Sequence, residues 1–166
     1  NVERLVNLDL LTYAGYRGSL ADLDGDRRHV FVEGDIGDAD LVGRLLREHE
    51  IDILVDLKGY TAEGRTGILA LRPAPIQVNY LGFPGTMGAD YIDYIIGDAT
   101  VTPPEHDVFY AEKVVRLPGS YQVNDRQRVI APHSPTRAAC GLPDEGFVFC
   151  SFNNNFKNTP VVFDIW

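Results

Sequence analysis

At 166 residues, 45% of them hydrophobic and 23% charged, the chain is long enough for one domain with a core of its own, or two small ones at most. A formal net charge of −9 argues against non-specific binding to nucleic acid or to an anionic membrane, though not against a nucleotide held by backbone amides. The only two cysteines, Cys140 and Cys150, have no metal-ligand spacing, and that is the usage of a reducing, cytoplasmic protein and not of a disulfide framework.

No apolar run approaches the ~20 residues that cross a bilayer, and no signal peptide opens the chain. Both ends read as cuts from something longer, since the chain starts on Asn1 and stops at Trp166 within an apolar, helix-like segment. In chain order, Arg4 to Leu10 predicts a strand that runs into a Tyr-Ala-Gly turn. His29 to Glu33 predicts a second strand, closed by Gly34 and Asp35. Asp38 is placed to cap a helix reaching about Glu50, whose apolar stripe is Leu41, Val42, Leu45 and Leu46. "IDILVDL" follows, an apolar run of the parallel-strand kind, then Gly59, a polar loop and a helix from Thr66 to Leu71.

Further strands are expected at Ile76 to Leu81, Tyr91 to Ile96 and Lys113 to Leu117. Residues 119–146, rich in Gly, Pro, Asn and Asp, read as a linker, and a strand restarts at Phe147. Asn158, Thr159 and Pro160 then look like a helix start. The alternation predicts an α/β class with one mainly parallel sheet shared by all the strands. In such a sheet ligands sit beyond the carboxyl ends of strands. That rule selects Asp9, Asp35, the Gly59-Tyr60 turn, the turn from Gly82 to Thr86, and the turn from Asn153 to Lys157.

The stretch "LRPAPIQVNYLGFPGTMG" surrounds one short strand with prolines and glycines. Glycine permits close approach of backbone to a ligand and Pro84 stiffens the loop, so this is either a ligand wall or only a tight connection. "SFNNNFK" places amide donors beside one lysine, which suits a leaving phosphate as well as a solvated turn. The four histidines form no ligand pair, and no metal site is expected. Asp52, Asp56, Asp90, Asp93 and Asp98 read as strand-end and surface carboxylates.

"IDILVDLKGYTAEGRTGILALRPAPIQVNYLGFPGTMGADYIDYIIGD", "YAEKVVRLPG" and "FVFCSFNNNFKNTP" resemble the catalytic region of the O-linked N-acetylglucosamine transferase family and its SPINDLY-type relatives over residues 51–166. The resemblance implies a partial GT-B fold, two facing Rossmann-like domains that move N-acetylglucosamine or fucose from a nucleotide sugar to a protein Ser/Thr hydroxyl. It implies that Leu81 and Gly82 lie beside the donor sugar and that Tyr60 and Arg65 lie on the acceptor side. Asn154 would contact the donor, and Lys157 would stabilise the departing diphosphate as the catalytic cation. No cofactor is expected for that reaction. The organisation implied is a transferase Rossmann-like part at 50–118, a linker at 119–146 and the start of a second Rossmann-like domain at 147–166, with the piece inactive by itself.

Residues 1–49 are similar instead to dTDP-glucose 4,6-dehydratase, on "VNLDLLTYAG", "SLADLDGDRRHVFVEGDIGD" and "LVGRLLREH". That likeness implies an NAD site in which Asp9 bonds ribose hydroxyls, Leu11 and Thr12 line the adenosine end, and Asp35 and Ile36 hold adenine. The plainer reading of Asp9 and Asp35 is that they cap strand-end turns. The glycine-rich loop such a site needs for the pyrophosphate is absent, as is a Tyr-x-x-x-Lys pair. A chimera joined near "LLREHEIDILVDL" is therefore the expectation.

Overall fold

The computed structural model describes residues 2–12, 15–61, 64–124, 129, 131–152 and 158–165. The chain divides into two units, Asn1–Asn124 and Asp125–Trp166. Among its described residues the first carries six strands: β1 (Leu5–Asp9), β2 (His29–Glu33), β3 (Ile53–Asp56), β4 (Ile76–Asn79), β5 (Tyr94–Gly97) and β6 (Lys113–Arg116). Helix α1 (Ala39–Glu48) links β2 to β3, and α2 (Thr66–Ala70) links β3 to β4. Short 3-10 helices at Arg17–Leu23 and Pro104–Phe109 were not evident in the sequence. Every strand pairing is parallel, which establishes the α/β class.

The strands do not share one sheet. β1 pairs with β2, Leu5 opposite His29, whereas β3, β4, β5 and β6 form a separate sheet in that order. Alternation of strand and helix specifies parallel units but not which edges join, and that is why the expected single sheet is replaced by two. The outer edge of β3 leaves Ile53 and Val55 exposed.

Local chemistry accounts for the helix ends. The Asp38 carboxylate accepts from the Asp40 and Leu41 amides at the start of α1. At its end Glu50 takes φ 48°, and the Ile51 amide returns to the Leu46 carbonyl in a Schellman-type closure. The core belongs to the four-stranded sheet. Leu69 of α2, Met87 and Ile92 cluster there with Leu54, Ala89 and Tyr91, and Ile95 is 1% exposed. Apart from Leu45, the fully buried hydrophobic residues described lie between Leu69 and Tyr121.

The second unit holds a 3-10 turn at Ala138–Cys140 and α3 (Pro160–Ile165), which begins on its proline. The strand expected at Phe147 is not formed. Residues 147–152 have no strand partner among the described residues, and Phe147 and Phe149 face solvent with ring centroids 4.8 Å apart. Among the described residues no helix is long and apolar enough to cross a membrane.

Candidate functional site

Parallel pairing brings the carboxyl ends of β3, β4, β5 and β6 to one side, and the loops that leave them are bound to one another. Beyond β3, the Asp56 carboxylate accepts from the Lys58 and Gly59 amides, both at 3.0 Å. Thr61 Oγ1 donates to the Lys58 carbonyl at 2.8 Å. Gly59, at φ 54°, packs against the Asn79 amide and the Met87 sulfur. Beyond β4, Leu81 has φ 67° and the Gly82 amide donates back to the Tyr80 carbonyl at 2.9 Å. That is a γ-turn of the strained, positive-φ kind, centred on a leucine. Gly82 then abuts the Lys58 backbone so closely that no side chain fits.

Three further ties fix the rim. Tyr80 Oη donates to the Tyr121 carbonyl at 2.6 Å, with the two rings edge to face. Asp98, buried at the end of β5, accepts from the amides of Thr100, Val101 and Tyr121 at 2.7–2.9 Å. These N–H groups, Tyr121 first, hold its carboxyl below the usual carboxylate range against the opposing effect of burial. It is therefore not the surface carboxylate the sequence suggested, because a parallel strand buries the turn at its own end. Glu112, also buried, accepts from Thr86 Oγ1 and the Met87 amide.

The glycine turn is thus a wall more than an anion cradle, since the amides of Gly82, Met87 and Gly88 are already donated within the protein. Leu81 and Gly82 stand directly beside the β3 loop that carries Tyr60. Tyr60 is exposed. The Tyr91 phenol is pushed above its ordinary value, first by burial and then by the adjacent Tyr60. Arg65, at the start of α2, lays its guanidinium over Gly37. It helps to line an open apolar groove of about 440 Å³ between α1 and α2, with Val42, Leu46 and Ile68.

Asp9 and Asp35 serve their own turns. One oxygen of Asp9 accepts from the Leu11 amide at 2.7 Å, and one of Asp35 accepts from the Gly37 amide at 2.7 Å. Leu11 takes φ 51°, and the Thr12 carbonyl accepts from Gly15. Ile36 is 36% exposed. The structure brings Asp35 and Arg65 together across Gly37, although the sequence assigned them to different sites. Asn154 and Lys157 lie outside the described residues. Sequence reasoning missed Tyr110, Glu112 and Tyr121, whose only signal was their position beside β6. Among the described residues no group of three or more His, Cys, Asp or Glu is placed to hold a metal ion.

A parallel α/β sheet whose strand ends carry a glycine turn against a neighbouring loop is a Rossmann-like arrangement. The comparisons make this specific. The model of "Glycosyl transferase family 41" matches residues 31–138. The chain is 42% identical over 141 residues to the "probable UDP-N-acetylglucosamine–peptide N-acetylglucosaminyltransferase SEC" of Arabidopsis thaliana, covering 82% of this chain and 14% of that protein. A SPINDLY relative from Eustoma exaltatum subsp. russellianum, given the same activity in its name, is 35% identical over 167 residues, 96% of this chain and 18% of that protein. Among solved structures, a lysine-to-methionine variant of the O-GlcNAc transferase of Thermobaculum terrenum superposes with a TM-score of 0.57 at 26% identity, over 80% of this chain and 32% of that one. The chain belongs to glycosyl transferase family 41 and spans only a small part of its curated relatives. The match begins at Phe31, so the family takes in the end of β2 and all of α1, which the sequence had assigned to a dehydratase-like segment.

Proposed function

We propose that this chain is part of the catalytic region of a protein O-N-acetylglucosaminyltransferase, working with a nucleotide-sugar donor and a protein Ser/Thr acceptor. The observation that carries the reading is the strained Leu81–Gly82 turn seated on the Lys58 carbonyl, within the segment that matches the family. Leu81 and Gly82 present backbone, and so let a sugar approach closely. Tyr60 and Arg65, on the neighbouring loop, take the acceptor side. Asn154 contacts the donor and Lys157 neutralises the departing diphosphate, charge that grows as the glycosidic bond breaks. The division proposed runs from a Rossmann-like part at 50–118, through a linker at 119–146, to the start of a second Rossmann-like domain at 147–166. Because the chain spans so small a part of its curated relatives, the piece alone has little or no turnover.

Support for the dehydratase-like reading of residues 1–49 is weaker. Asp9 and Asp35 already bind their own turns, and among the described residues no helix start follows a glycine-rich loop to take a pyrophosphate. Calorimetry with UDP, UDP-N-acetylglucosamine, GDP-fucose and NAD separates the readings and the sugar. Heat with a UDP or GDP ligand and none with NAD is expected. Saturable NAD binding lost in Asp9→Ala reverses the ranking.

A further inference from the structure

We infer that Tyr110, Ala111 and Glu112 form a buckle that holds the 81–88 turn in its strained shape, making Thr86 and Glu112 positioning residues for the donor wall. The inference rests on the proposed donor role of Leu81 and Gly82. A positive-φ γ-turn on leucine persists only where its surroundings over-determine it. Here the Lys58 backbone backs Gly82, and the rest of the turn, from Pro84 to Met87, is held by three consecutive residues leading into β6.

Glu112 is 5% exposed. Its Oε2 accepts from Thr86 Oγ1 at 2.7 Å, and its Oε1 accepts from the Met87 amide at 2.6 Å. Thr86 Oγ1 in turn accepts from the Gly88 amide at 2.9 Å and the Ala111 amide at 3.2 Å. One bond donated and two accepted exhaust what a hydroxyl can do, so this threonine is fully committed. Tyr110 Oη adds a bond to the Pro84 carbonyl at 2.7 Å. Burial, and then the Glu112 charge, push the Tyr110 phenol above its ordinary value, which keeps it a donor. The carboxylate bonds are charge-assisted and directed at this one turn, while β6 is rooted on β5. Glu112 reaches from the start of β6 to the loop that leaves β4.

The test is amide hydrogen exchange by NMR on the isotope-labelled chain, for parent, Thr86→Val, Thr86→Ser and Glu112→Gln, with UDP-N-acetylglucosamine added in a second series. In Thr86→Val the amides of Gly82, Met87 and Ala111 exchange about tenfold faster or more, as losing a buried hydrogen bond to a charged acceptor requires. Val78 and Ile95 keep parental rates, and Thr86→Ser restores the turn. Donor shifts the Leu81 and Gly82 resonances in the parent and in Thr86→Ser, and less in Thr86→Val. Unchanged turn exchange in both Thr86→Val and Glu112→Gln overturns the buckle, and so does equal acceleration at Val78 and Ile95. A parent that shows the expected exchange but no donor shift supports the buckle and counts against the donor role, so the two readings fail separately.

Discussion

Gly82 stands on the backbone of Lys58: a Cβ there would overlap both the carbonyl oxygen and its carbon. Backbone cannot step aside as a side-chain tip can, so Gly82→Ala is expected to cost about 1–3 kcal/mol through forced displacement of one loop. Gly67 is the control. It lies in α2 with nothing within 4 Å of its would-be Cβ. Gly67→Ala is expected to be neutral or to stabilise by about 0.5–1 kcal/mol. Urea unfolding of the two variants checks the contrast, and equal costs at both positions would contradict it.

Asp98 makes acid stability measurable. Its folded-state pKa is lowered, so its contribution is complete above the unfolded carboxylate value of about 4 and disappears as pH falls through the folded value. In Asp98→Asn an amide N–H would face the Tyr121 N–H in place of an acceptor. Thermal melts should show Asp98→Asn several degrees below the parent at neutral pH. The gap should narrow as the pH drops below about 4, where the parent loses the same interaction. A gap that stays constant into acid would show that the carboxylate charge is not what ties Tyr121.

Two polar residues share one face of β4, with opposite expected effects. Gln77, 0% exposed, donates through Nε2 to the Leu69 and Tyr91 carbonyls at 2.8 and 2.6 Å. Gln77→Leu removes one hydrogen bond from each of two carbonyls that keep a donor on Arg72, and should cost about 1–2 kcal/mol. Asn79 is as deeply buried, yet neither polar atom of its amide has a partner among the described residues. Asn79→Leu, which keeps the same branched heavy-atom skeleton, should therefore change stability by less than about 1 kcal/mol, or raise it. Chemical denaturation of both variants checks the sign, and a large loss in Asn79→Leu would show that the amide is used.

Much of the fold was legible in the sequence because its signals are local. Asp38 caps α1 as its spacing predicts, Pro160 opens α3, and β2 begins and ends at the residues expected. Edge pairing was not legible, since β1 and β3 each carry apolar residues that suit more than one neighbour. Nor was it legible that no strand forms at Phe147, since a strand needs a partner that residues 147–152 do not meet among the described residues. In the candidate site, Gly82 was readable because a glycine beside Pro84 states a backbone need. Glu112 and Tyr121 were not, because their importance comes from contacts with residues 86–87, 80 and 98, far away in the chain. The strain at Leu81 was equally hidden, since leucine carries no signature of positive φ.

The most direct test of the account is transfer itself. This chain would replace the corresponding segment in a family 41 transferase, and sugar transfer from UDP-N-acetylglucosamine to a Ser/Thr peptide would be followed in the graft and in its Lys157→Ala variant. The account predicts turnover by the graft and a fall of about a hundredfold or more in Lys157→Ala, the order expected for losing one transition-state cation. Donor affinity should change far less, because the charge being stabilised develops during bond breaking. A folded graft without transfer, or a Lys157→Ala variant with full turnover, would contradict it.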